Sequence, residues 1–101
     1  MEIRARDNER ELLLALSGAI DHPGARNALN AVEMALDAAL PRLLILDFSG
    51  VTFMDSSGIA LILRSQQRMQ LLEGSVVIRN IPAQAKRVLD AAGIGRLVSI
   101  K

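Results

Sequence analysis

The sequence predicts a small α/β domain built on a mostly parallel sheet. Three observations carry that expectation. Short apolar runs, Glu11–Ser17, Leu43–Phe48 and Ser75–Arg79, alternate with longer stretches of helical period. The 101 residues suit one domain, residues 1–101, and 50% of them are apolar, enough for one hydrophobic core without staples. Prolines and glycines fall between the segments, at Pro23, Pro41, Gly74, Pro82 and Gly93.

Residues 2–6 alternate polar and apolar, Asp7–Arg10 supply a turn, and Glu11–Ser17 run apolar, which together read as a two-stranded hairpin. Gly18–Gly24 reads as a loop, with Asp21 or His22 as cap and Pro23 opening a helix. Ala25, Ala28, Leu29, Val32, Ala35, Leu36 and Ala39 share one face of that helix, and Pro41 stops it. Leu43–Phe48 is nearly all apolar, the pattern of a strand covered on both faces. Ser49–Asp55 reads as a loop leading to a helix over Ser56–Leu72, which ends near Gly74. On that helix Ile59, Ile62, Leu63 and Met69 face inward. Ser75–Arg79 is the next strand. Pro82 opens a third helix, with Ala85, Val88, Leu89 and Ala92 inward and Gln84, Lys86, Arg87 and Asp90 outward. Gly93 and Gly95 end it, and Arg96–Ile100 is a last strand. The order is β-β-α-β-α-β-α-β, with four or five strands, mostly parallel.

Composition excludes several functions. Lys plus Arg total 12 and Asp plus Glu total 11, and these charges are scattered, unlike the basic stripe of a nucleic-acid binder. Two Phe with no Trp or Tyr leave few stacking platforms for single strands. No cysteine is present, which rules out disulfides, thiolate metal sites and a Cys nucleophile and fits a cytoplasmic protein. A single His among dispersed carboxylates makes no metal cluster. No apolar run nears the ~18 residues of a membrane span, and the alternating N-terminus resembles a strand more than a signal peptide. No phosphate-binding glycine loop is present, so no cofactor is expected. Met34, Met54 and Met69 read as core or partly buried filler.

On a parallel sheet, sites gather beyond the carboxyl ends of the strands. That directs attention to Ala19–Gly24 and Ser49–Ser57. Asp55-Ser56-Ser57-Gly58, between an apolar strand and an apolar helix, is first of all a helix cap. A serine hydroxyl at a helix start is also exposed to modification, and helix N-termini favour anions such as phosphate. A Ser56–His22–acid triad is conceivable, but the Gly-x-Ser-x-Gly elbow is absent and adjacent Asp21 and His22 would orient each other poorly. No catalytic set is visible. A small-molecule site would need convergent polar groups that the sequence does not display.

The segment Leu44–Gly58, reading LILDFSGVTFMDSSG, resembles the signature of bacterial STAS-domain anti-sigma factor antagonists. So do Leu16–His22, with its Gly-x-hydrophobic-Asp loop, and the tail Ile81–Gly93. The resemblance runs in order along nearly the whole chain. It implies a partner-binding module and not an enzyme. The unphosphorylated form would bind an anti-sigma factor serine kinase of the GHKL type and free its sigma factor. Phosphorylation of Ser56 would release the antagonist, and a PPM-type serine phosphatase would restore it. ATP and magnesium would belong to the kinase. Asp21, Met54, Asp55, Ser56, Ser57 and Gly58 would form the partner-binding surface. Other STAS domains serve in lipid-transport complexes or stressosomes, often without the Asp-Ser-Ser-Gly form. Family members usually continue into a fourth helix after the last strand, where this sequence ends at Lys101.

Overall fold

The segments form in the predicted order in a computed structural model that describes residues 1–101. They are β1 (Glu2–Asn8), β2 (Glu11–Ile20), α1 (His22–Ala39), β3 (Leu43–Met54), α2 (Ser57–Leu71), β4 (Ser75–Arg79), α3 (Ala83–Ala91) and β5 (Ser99–Ile100). The strands lie side by side in chain order; β1 runs antiparallel to β2 and every other pair is parallel. No helix is long and apolar enough to cross a membrane.

The core sits on one face of the sheet. Leu12, Leu14 and Leu16 of β2, Leu44, Leu46 and Phe48 of β3, and Val76 and Ile78 of β4 alternate toward it. Val32 and Leu36 of α1, Leu61, Ile62 and Met69 of α2, and Ala85 and Leu89 of α3 meet them there. The expected double cover of Leu43–Phe48 is therefore incomplete. Ile45 is buried but lies outside that core, and its register neighbours Leu13 and Val77 are only half-buried. An unbroken apolar run does not by itself reveal how fully each face is covered.

Several boundaries differ from the sequence reading. The expected Ser49–Asp55 loop is strand as far as Met54, and β2 likewise continues to Ile20. Ser49-Gly50 resembles a turn, but Gly50 serves close approach. A Cβ there would collide with the Ser17 hydroxyl and lie 3.0 Å from the Leu16 carbonyl oxygen. The β2–β3 register shifts at this place, between Ala15 and Ser17, so the irregularity lengthens both strands instead of ending them. The last strand shrinks to two residues because Ile94–Arg96 closes into a 3-10 turn, which buries Ile94. Ala92 and Met34 are exposed, not inward. Met34 shares no stripe with Val32 and Leu36, so its size does not place it in the core.

Candidate functional site

The site is built where β2 and β3 end together. Ile20 and Met54 are register partners, and the Asp55 N–H donates to the Ile20 carbonyl at 3.2 Å. Asp21 and Asp55 thus leave neighbouring strands at the same end of the sheet, and each starts a helix. Asp21 is extended, at φ −92°, and its Oδ1 accepts the Gly24 N–H at 2.9 Å. That is the N-cap of α1, with Pro23 in its first turn. Of the two caps the sequence allows, Asp21 is the one used.

The second helix starts differently. Asp55 Oδ1 accepts the Ser57 N–H at 2.8 Å, the Asp55 carbonyl accepts the Gly58 N–H at 3.1 Å, and the Ser56 carbonyl accepts the Ile59 N–H at 3.1 Å. Asp55 therefore does the capping, and Ser56, already helical at φ −63°, makes no side-chain cap bond. Its hydroxyl is exposed and uncommitted, whereas Ser57 is half-buried. The expectation that a phosphoryl group would meet free helix amides holds in this turn for the Ser56 N–H alone, unlike the Ser57, Gly58 and Ile59 amides. Those three amides already have acceptors within it.

Met54 and Gly58 are internal. Met54 is 0% exposed, so its side chain is core and cannot touch a partner. Gly58 is buried against it; a Cβ on Gly58 would lie 2.5 Å from both Met54 Cγ and Sδ. This close approach explains a glycine in the first turn of a helix, where it is otherwise unfavourable. The motif thus divides by role. Asp55 fixes the turn, Ser56 is displayed, and Met54 and Gly58 lock the turn to the core.

Gln84 is part of the same lock, although its place on α3 reads as a solvated position. Its Oε1 accepts the Met54 N–H and its Nε2 donates to the Met54 carbonyl, each at 2.8 Å. Both backbone groups at the end of β3 are satisfied by one side chain from α3, only two residues before Ser56. Nothing in the helical period could reveal this pairing; a polar residue beside the inward stripe was the sole hint.

Two grooves flank Ser56-Ser57. One, between α1 and α2, is lined by His22, Arg26, Ser57, Leu61 and Arg64. The other, between α2 and α3, is lined by Ser56, Ile59, Gln84, Arg87 and Val88. Neither lining contains a carboxylate. Further along α1 and α2 the charges are paired: Arg68 meets Glu33 at 3.3 Å and also meets Asp37. The site end of the molecule thus carries unpaired basic groups around an exposed serine.

The family model for the STAS domain matches residues 2–101. The chain belongs to the STAS-domain family. This STAS domain is 26% identical over 104 residues to the anti-sigma F factor antagonist of Paenibacillus polymyxa, covering 99% of the chain and 86% of that protein. Its fold is similar to that of the anti-sigma factor antagonist SpoIIAA in its unphosphorylated form. The TM-score is 0.84 at 20% identity, over 99% of this STAS domain and 88% of that chain. The phosphorylated form of the Bacillus cell fate determinant SpoIIAA superposes with a TM-score of 0.75 at 20% identity, over 99% of this chain and 91% of that one.

Proposed function

We propose that this STAS domain is an anti-sigma factor antagonist, a binding partner and phosphorylation substrate that performs no catalysis of its own. The observation that carries the reading is the contrast between the two serines: Ser56 is exposed with an uncommitted hydroxyl on a turn locked by Asp55 and Gln84, and Ser57 is half-buried in the α1–α2 groove. The named antagonist relative and the run Asp55-Ser56-Ser57-Gly58 support the same reading.

In the cycle, the unphosphorylated domain docks its Asp21 and Asp55–Ser57 end on an anti-sigma serine kinase of the GHKL type and displaces the sigma factor. The kinase brings ATP and magnesium. Ser56 Oγ attacks the γ-phosphorus, the bond to the bridging oxygen breaks and ADP leaves, while the hydroxyl proton passes to a base on the kinase. The new phosphoryl group carries about −1.5 to −2 charges beside Asp55 and must be desolvated under a bound partner, so the complex dissociates. A PPM-type phosphatase hydrolyses the ester and resets the cycle, which runs in the cytoplasm.

The test is treatment with ATP, magnesium and an anti-sigma serine kinase, followed by phosphopeptide sequencing and a binding assay. Wild type should take up one phosphate, on Ser56. Ser56→Ala should bind and stay bound in ATP, and Ser57→Ala should still be modified. A phosphate on Ser57 overturns the assignment; no phosphate on either serine overturns the function.

A further inference from the structure

We propose that Arg87 is the internal partner of the phosphoryl group on Ser56, bridging α2 to α3 in the modified state. The inference rests on Ser56 being the phosphoacceptor. A phosphoryl dianion needs donors, and the first-turn amides of Ser57, Gly58 and Ile59 already donate to Asp55 Oδ1, the Asp55 carbonyl and the Ser56 carbonyl. Asp55 itself is repulsive. Beyond the single free Ser56 N–H, the donors must come from a cation within side-chain reach.

The candidates separate by place and by prior engagement. Arg68 is held by Glu33 and Asp37, and Lys86 by Asp90 at 3.1 Å. Arg64 and Arg26 line the groove on the Ser57 side. Arg87 lines the same groove as Ser56 and forms no ion pair. Its backbone position is fixed: Gln84, three residues earlier and so on the same helix face, anchors α3 to Met54. A guanidinium can grip a phosphoryl group through two parallel N–H donors. The resulting bridge would cross the apolar floor made by Ile59 and Val88, so modification would close the α2–α3 groove as well as charge it.

The measurement is a phosphorus NMR titration of the full chain with phosphoserine installed at position 56 during translation, so no kinase is needed. The second ionisation of phosphoserine lies near pH 6. A paired guanidinium favours the dianion, and partial exposure limits the shift to roughly half a unit. Arg87→Gln should raise the midpoint by that amount relative to the parent, and Lys86→Gln, one residue away, should leave it unchanged. Equal midpoints in the parent and Arg87→Gln overturn the proposal, as does an equal response to Lys86→Gln. A kinase that leaves Ser56 unmodified would instead defeat the proposed function, and this titration reads independently of that result.

Discussion

Gln84 is where a single side chain decides the shape of the displayed turn. Its two bonds to Met54 are made in a partly buried place, so removing them leaves a backbone donor and acceptor unpaired. Each such loss costs on the order of 1–3 kcal/mol. Gln84→Ala should therefore lower stability by about 2 kcal/mol or more in denaturant unfolding and speed amide exchange at residues 54–57. Unchanged exchange there would show that the turn holds itself. Asp47, at the far side of β3, governs response to acid. Burial alone would raise its carboxyl, but donation from the Ser49 N–H, from Asn80 Nδ2 and from the Ser49 hydroxyl, with the charge of Arg79, outweighs burial and holds it below the usual range. A carboxyl depressed by folding stabilises above its unfolded value of about 4, and that contribution is lost as the pH falls through its folded value. The stability gap between wild type and Asp47→Asn should thus be full at neutral pH and shrink as the pH drops below about 4. A gap independent of pH removes Asp47 from the acid response. Gln84 is not legible in the sequence, because its partner lies 30 positions away, and for Asp47 only the Ser49 contact is local, its Asn80 partner lying 33 positions away.

Among the elements, α1 and α2 each start at an aspartate just beyond a strand, which accepts an amide three residues on in α1 and two on in α2; residue type marked a cap at both places but left Asp21 and His22 open at the first. The lengths of β2 and β3 were not legible. Ser49-Gly50 carries the composition of a turn, and only the neighbouring strand reveals that the glycine admits Ser17 and Leu16. The inward face of α3 was legible for Ala85 and Leu89 and failed at Gln84, where a long polar side chain reaches back to β3. Capping also changes what a test of Asp21 must control. A loop carboxylate could be removed with little effect on stability, but Asp21 holds the Gly24 amide, and losing an N-cap costs about 1 kcal/mol. Asp21→Ala should lower the melting temperature, and Asp21→Asn, which keeps an acceptor oxygen, should nearly restore it. If the two variants melt alike, the cap contributes nothing. Only Asp21→Asn then isolates the charge in a binding assay, where reduced affinity for the proposed kinase partner is expected.

Across the whole molecule, a rigid base carries a small displayed end. One hydrophobic core joins the three helices to β2, β3 and β4, and Met54 and Ile20 are its last residues before the site. Close-packed interiors do not deform gradually, so a charge added at the rim should rearrange side chains there and leave the sheet as it is. Neither route to a wider change is open: Ser56 is exposed, and the turn beneath it is tied to α3 through Gln84 and to β2 through the Asp55–Ile20 bond. Amide spectra of the unmodified and Ser56-phosphorylated chains should therefore differ at residues 54–60 and 84–91, with smaller changes at 19–24. The opposite end, around Asn8–Glu11, Leu43 and Ser75, should not move, because it lies a full strand length away along β2, β3 and β4. Changes at 84–91 are the distinguishing part, since a phosphoryl group held only within its own turn would leave α3 untouched. Shifts spread over the core strands would mean that phosphorylation switches the fold between two packings, and release of the partner would then be conformational and not electrostatic.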